Sequence, residues 1–249
     1  MSFKVYIPAR YAATRLPGKP LLEIHGKPLI QYVYERALAS GAAEVVIATD
    51  DERIAAVARG FGATACMTSP ELPSGSDRIA AAARQRGEAE DQVIVNLQGD
   101  EPRMPAVVIG QVAALAAGAG CDIATVCEPL QAAQLFDPNV VKVVRDHSQR
   151  ALYFSRAPIP WSRDEFASGQ HTTAHLALYR RHVGIYAYRV GFLTRFVAAP
   201  PGELERIESL EQLRALGFGA RIVAADALAP CGVGVDTPAD LERLRQDHH

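Results

Sequence analysis

Short apolar runs that alternate with amphipathic helical stretches set the tightest limit on how this chain folds. A strand is read at residues 4–8, followed by a helix over 29–40 that Pro28 opens and Gly41 closes. A strand over 44–49 leads into a helix over 52–59 capped by Asp50-Asp51. A strand at 63–67, a helix at 77–86, a strongly apolar strand at 92–97, a helix at 106–117 and a strand at 122–127 follow. This order predicts an α/β fold of a mainly parallel central sheet with helices on both faces. The second half is less regular. Runs at 140–144 and 151–154 flank Asp146-His147-Ser148-Gln149 as an antiparallel hairpin, and 158–181 reads as a long excursion, a lid or a dimer surface. Strands at 183–188 and 220–225 and helices at 204–216 and 238–245 complete the pattern. No repeat, low-complexity segment or linker interrupts it, so a single domain over 1–249 is expected, with 138–190 forming the hairpin and excursion.

Composition narrows the function. The chain has 249 residues, 49% hydrophobic and 22% charged, with a net charge of −2, which argues against bulk nucleic-acid binding. Cys66, Cys121, Cys127 and Cys231 form no C-x-x-C pair and read as free thiols of a reducing compartment. No signal-peptide pattern opens the chain, and no apolar run approaches the ~20 residues that span a bilayer. A cytoplasmic protein without a membrane partner is expected. Gly18-Lys19 is followed by Pro20, so there is no P-loop. Gly60-Phe61-Gly62-Ala63-Thr64-Ala65 fits a dinucleotide fingerprint by letter but stands between a helix and a strand, where its glycines read as a helix stop. His171 and His175 have i,i+4 spacing but no third ligand, and read as loop residues.

Three constellations carry chemistry. The first is Ile7-Pro8-Ala9-Arg10-Tyr11-Ala12-Ala13-Thr14-Arg15-Leu16-Pro17-Gly18-Lys19-Pro20. It places Arg10, Arg15 and Lys19 on the loop after the first strand, where open α/β sheets bind phosphorylated ligands. The second is Asn96-Leu97-Gln98-Gly99-Asp100-Glu101-Pro102, which sets Asp100 at the end of a central strand beside a glycine that lets the chain turn and a ligand approach. Asp100 is either a ligand for a hard divalent cation or a cap for the helix after Pro105. The third is Gly232-Val233-Gly234-Val235-Asp236-Thr237-Pro238, in which Asp236 is a second such carboxylate or the cap of the last helix. Cations for a polyphosphate and two strand-end carboxylates suit metal-assisted attack on a nucleotide α-phosphate. Pro73-Ser74-Gly75-Ser76-Asp77-Arg78 adds a helix start that would hold a phosphate or a base edge, with Ser76 or Asp77 as its cap.

With these motifs in view the chain resembles the 3-deoxy-manno-octulosonate cytidylyltransferases nearly end to end. The resemblance runs from I-P-A-R-Y-A-x-T-R-L-P-G-K-P to G-V-D-T-P-x-D-L-E. Between them lie S-G-S-D-R at 74–78, V-N-L-Q-G-D-E-P at 95–102, A-L-Y-F-S-R-A-x-I-P-W at 151–161, H-V-G-I-Y at 182–186 and I-E-x-L-E-Q-L-R at 207–214. Ser76-Asp77 stands where the family often has Thr-Glu or Thr-Asp, and Arg206 where some members carry His. The resemblance implies a fold of the nucleotide-diphospho-sugar transferase type, a homodimer, and transfer of CMP from CTP to 3-deoxy-D-manno-octulosonate (KDO) with Mg²⁺, releasing pyrophosphate. By the same carry-over Arg10, Arg15 and Lys19 hold the CTP phosphates. Ala9, Ser74, Arg78 and Gln98 surround the cytidine, and Asp100 and Asp236 bind magnesium. Arg156, His182, Tyr186, Glu211 and Gln212 shape the sugar pocket. Plain alternatives stand beside these: Tyr186 as strand packing, His182 as a satisfied strand-end histidine, Glu211-Gln212 as the wet face of a helix.

Two rival classes fare worse. A nicotinamide-dependent oxidoreductase needs a glycine fingerprint where the basic loop stands, and a non-catalytic sugar-nucleotide sensor would have lost a metal carboxylate or the loop lysine. Transfer to a related acid sugar such as 8-amino-KDO is the alternative within the enzyme class.

Overall fold

Phe3–Ala9 (β1) is the strand around which the chain is built. In the computed structural model, which describes residues 2–12, 16–118, 120–167 and 175–246, β1 runs parallel to Glu44–Thr49 (β4) on one side and to Val93–Asn96 (β6) on the other. Val5 and Ile7 point to one face and Tyr6 to the other, and all three are fully buried. A strand covered on both sides has this continuous apolar character.

The short hairpin Glu23–Ile24 (β2) and Lys27–Pro28 (β3) precedes Leu29–Ala39 (α1), with Pro28 at the cap position rather than inside the helix. Glu52–Gly60 (α2), Thr64–Met67 (β5), Gly75–Gln85 (α3), Ala106–Ala117 (α4) and Ile123–Pro129 (β7) follow the expected order. Lys142–Arg145 (β8) and Ala151–Ser155 (β9) form the expected hairpin. Arg163–Ala167 (α5) lies in the excursion, where Phe166 and Tyr179 pack with Leu130 and Leu135 in a satellite cluster. Arg180–Arg189 (β10), Val190–Ala198 (α6), Glu203–Glu208 (α7), Gln212–Gly217 (α8), Ile222–Asp226 (β11) and Pro238–Gln246 (α9) complete the chain.

Among the described residues the main sheet is ordered β11-β7-β10-β6-β1-β4-β5, with β8 and β9 branching from β10. It is mostly parallel, but β10 is wedged antiparallel between β6 and β7. One face buries Ile30 and Val33 of α1, Ile54 of α2, and Val108 and Val112 of α4 against Val5, Ile7 and Val95. The other buries Ile79 of α3, Phe192 and Phe196 of α6, and Leu213 of α8 against Tyr6, Ile94 and Tyr188. No helix among the described residues is long and apolar enough to cross a membrane.

Several local expectations are corrected. α6 starts directly after β10 with no turn residue between them, over residues to which the sequence reading assigns no element. The helix expected over 204–216 is two helices, α7 and α8, broken where Ser209 takes a left-handed φ of 52°. Asp51 alone caps α2, accepting from Arg53 N, while Asp50 turns away to pair with Arg78. α3 starts at Ser74, whose hydroxyl accepts from Asp77 N, rather than at Ser76 or Asp77.

The β8–β9 hairpin is pinned by Lys142, which is fully buried. Its ammonium donates to the carbonyls of Asp137 at 2.7 Å, Val140 at 2.8 Å and Arg156 at 2.9 Å, using all three of its hydrogens. Lys142→Met keeps the length but orphans three carbonyls, and is expected to lower unfolding free energy by about 3 kcal/mol. Urea denaturation followed by circular dichroism measures this; an unchanged midpoint would remove the lysine from the forces that hold the hairpin.

Candidate active site

The site is built where β1 and β6 end side by side. Just beyond Ala9, the Tyr11 carbonyl accepts a hydrogen bond from the Gly18 N–H at 2.9 Å. Gly18 has a φ of 69°, and a Cβ there would stand 3.2 Å from the Tyr11 ring, so the loop closes on a residue without a side chain. A single 3-10 turn, Lys19–Leu21, then aims Lys19 inward. Beyond β6, Gly99 lies against β1. A Cβ there would come 2.9 Å from the Pro8 carbonyl, so this glycine serves the approach of two chain segments rather than a left-handed turn.

Lys19 Nζ sits between the two predicted carboxylates, 2.6 Å from Asp100 Oδ2 and 3.3 Å from Asp236 Oδ1, and donates to the Val235 carbonyl at 2.9 Å. The Val235 N–H donates to the Asp100 carbonyl at 2.9 Å, which ties the 231–237 segment to the end of β6. Neither aspartate caps a helix. Pro105 precedes α4, and Thr237 and Asp240 hold the start of α9 reciprocally, Asp240 N donating to Thr237 Oγ1 and Thr237 N to Asp240 Oδ2. One ammonium thus faces two carboxylates from separate segments. Beside them the Glu101 carboxyl is pushed up to about 8, by burial first and the Asp100 charge second. Among the described residues no three His, Cys, Asp or Glu side chains gather as a metal cage. Two carboxylates on an open cleft are nevertheless the donor set a magnesium ion takes when substrate phosphates complete its shell.

The cleft above them has a volume of about 310 Å³. Ala9, Arg10, Lys19, Ser74, Arg78, Gln98, Asp100 and Asp236 all line it. Arg78 is 3% exposed; it donates to Asp50 Oδ2 at 2.7 Å and Thr68 Oγ1 at 2.6 Å, which fixes α3 against the end of β4. Gln98 Nε2 donates to Asn96 Oδ1 at 3.0 Å. Arg15 lies outside the described residues, as does His171.

The residues expected around the sugar lie on the α3–α8 face of β10 and its surroundings. His182 Nε2 is 3.0 Å from Thr125 Oγ1 and its ring meets Phe154 edge-on at 5.0 Å. Burial, with Arg181 second, pushes it down to about 3, so its imidazole is neutral. The Tyr186 ring lies 5.4 Å from it, and burial raises the phenol. Glu211 reaches across to Ser74 and Ser76 at 2.9 Å each, which joins this group to the cleft. Gln212 is 5% exposed at the start of α8. Arg156 turns its guanidinium to the carbonyls of Glu208 at 2.7 Å and Pro138 at 2.8 Å. Sequence reasoning missed the anchors Asp50, Thr68 and the Val235 carbonyl. Two of them act through positions rather than motifs, and Asp50 stood beside a true cap.

A cationic, carboxylate-bearing cleft at strand ends of a mixed α/β sheet defines a nucleotide-binding protein of the phosphoryl-handling class. The sequence profile described as Cytidylyltransferase matches residues 5–222. The 3-deoxy-manno-octulosonate cytidylyltransferase of Thioalkalivibrio sulfidiphilus is 56% identical over 99% of this chain and 98% of its own. That of Aeromonas hydrophila is 54% identical over 98% of both chains. A solved structure, CMP:2-keto-3-deoxy-manno-octonic acid synthetase complexed with CTP, superposes with a TM-score of 0.88 at 43% identity, covering 98% of this chain and 97% of that one. This chain belongs to the cytidylyltransferase family, within the group formed by the 3-deoxy-manno-octulosonate cytidylyltransferases.

Proposed function

We propose that this chain transfers CMP from CTP to the anomeric hydroxyl of KDO, giving CMP-KDO and pyrophosphate, the sugar-activation step of lipopolysaccharide biosynthesis. The observation that carries the reading is the meeting of Lys19, Asp100 and Asp236 in one cleft, in a chain 43% identical to a synthetase solved with CTP. Ser74, Arg78 and Gln98 form the wall for the cytosine, and Arg10, Arg15 and Lys19 receive the phosphates. The KDO hydroxyl attacks the α-phosphorus and its proton passes to solvent, while the bond from that phosphorus to the pyrophosphate oxygen breaks and its electron pair leaves with the pyrophosphate. Lys19 offsets charge that gathers on the departing pyrophosphate, where a fixed cation acts without reorganising. Asp100 and Asp236 would hold Mg²⁺, which when bound draws electron density from the phosphoryl group. Alignment of hydroxyl and phosphorus by the cleft supplies roughly 7–11 kcal/mol in well-oriented systems. His182, Tyr186, Glu211, Gln212 and Arg156 shape the sugar side. A cytoplasmic homodimer, its contact surface within 138–190, completes the reading.

Nucleotide choice tests it. CTP is expected to turn over fastest, with UTP the nearest competitor and ATP and GTP excluded by ring size. A pyrophosphate-release assay with each triphosphate and a panel of acid sugars measures this. Equal turnover with purine triphosphates would overturn the base-pocket assignment, and a preference for another acid sugar would move the acceptor.

A further inference from the structure

The first turn of α3 is joined to Glu211 by a cluster that has one hydrogen too few for two ionised carboxylates. Ser74 Oγ lies 2.6 Å from Asp77 Oδ2 and 2.9 Å from Glu211 Oε1, while Asp77 N donates to the same Oγ at 3.2 Å. Ser76 Oγ donates to Glu211 Oε2 at 2.9 Å. A hydroxyl carries a single hydrogen, and an ionised carboxylate only accepts. With both acids ionised, Ser74 satisfies one of them and meets the other oxygen to oxygen at contact distance, in a half-buried place where such a mismatch is costly.

One additional proton resolves every contact. Glu211 then donates to Ser74, Ser74 to Asp77, and Ser76 to Glu211. The surroundings favour Glu211 as its holder: this carboxyl is raised, by burial first and with the Asp77 charge adding to the rise, against the lowering by Ser76, Ser74 and Arg214. The charged and titratable groups that face it are Asp77 from α3, Arg214 at 4.0 Å from α8, itself paired to Glu205 at 2.6 Å, and Tyr186 and Tyr188 from β10.

We propose that Asp77 and Glu211 share one proton through Ser74, and that Glu211 is thereby a positioning residue for the nucleotide, fixing the Ser74 hydroxyl and the first turn of α3 at the wall of the cleft. This rests on the reading of that cleft as the CTP site, and it extends Glu211 beyond the sugar side. Ser76 takes part by holding the second oxygen of the same carboxyl.

The test uses the full-length protein labelled with ¹³C at the side-chain carboxyls of Asp and Glu and titrated by NMR, with Glu211→Gln and Asp77→Asn identifying the two signals. One of the pair is expected to stay protonated above the pH at which ordinary carboxyls ionise, in line with the upward direction for Glu211. Both signals titrating at ordinary values would overturn the shared proton. Calorimetry of CTP binding without acid sugar tests the positioning role. Glu211→Gln, which can donate to Ser74 and accept from Ser76, should keep the CTP Kd within about twofold, whereas Glu211→Ala should raise it at least about fivefold. Unchanged CTP affinity in the alanine variant, with only the KDO KM raised, would confine Glu211 to the sugar and overturn the role. A wild-type protein that binds CTP but makes no CMP-KDO would instead fail the proposed activity, and the titration and CTP affinities would still decide this one.

Discussion

Asp100→Asn and Asp236→Asn are each expected to lower kcat roughly a thousandfold, about 4 kcal/mol of transition-state stabilisation. Asparagine keeps the shape of each side chain and removes the charge, so the loss reports electrostatics rather than packing. The two aspartates lie on separate segments tied by one backbone hydrogen bond, and both reach the Lys19 ammonium. Neither caps a helix, since Thr237 and Asp240 perform that task at α9 and Pro105 precedes α4. The thermal unfolding of both variants should therefore stay cooperative, with midpoints near the parent's. Turnover within tenfold of the parent at saturating magnesium would remove the metal role. Loss of the cooperative transition would return the two residues to structural duty.

Lys19→Ala should lower kcat at least about a hundredfold, the range seen when one charge-stabilising donor leaves an active site. The lysine is 14% exposed, with its ammonium held by two carboxylates and a carbonyl, so it is aimed rather than free to follow its ligand. Its removal also leaves Asp100 and Asp236 facing each other without the cation between them. Arg15→Ala, by contrast, should chiefly raise the CTP KM, as expected of a group that binds ground state and transition state alike. Steady-state kinetics on both variants separates these outcomes. A Lys19→Ala enzyme with near-normal kcat would make the lysine a mere holder of CTP. Equal kcat losses in the two would mean the loop acts as one unit.

Much of this arrangement was legible before the structure. The strands around β1 announce themselves because both their faces are covered, so Val45 through Thr49 and Val93 through Asn96 are apolar or small almost without interruption. The strand-end position of Asp100 follows from that run, and the structure gathers it with Lys19 and Asp236 in the cleft. The antiparallel course of β10 was not legible, since direction is set by which neighbours a strand pairs with and leaves no mark in its own residues. The break at Ser209 escaped for a related reason: a serine in a left-handed conformation looks like any helix residue in sequence. The hairpin of β2 and β3 did carry a signal. His25 and Gly26 both take positive φ between two paired dipeptides, the signature of a tight hairpin turn. The link from Glu211 to Ser74 joins residues far apart in the chain, and only the packing of α8 against α3 and β10 brings it about.

The most direct measurement follows a single phosphorus atom. CTP labelled at the α-phosphate is incubated with the protein, Mg²⁺ and KDO, and the products are separated. The label should appear in CMP-KDO, with unlabelled pyrophosphate formed in equal amount. Label recovered in CDP or in free CMP without a sugar conjugate, or no consumption of CTP when KDO is added, would contradict transfer of CMP to this acid sugar.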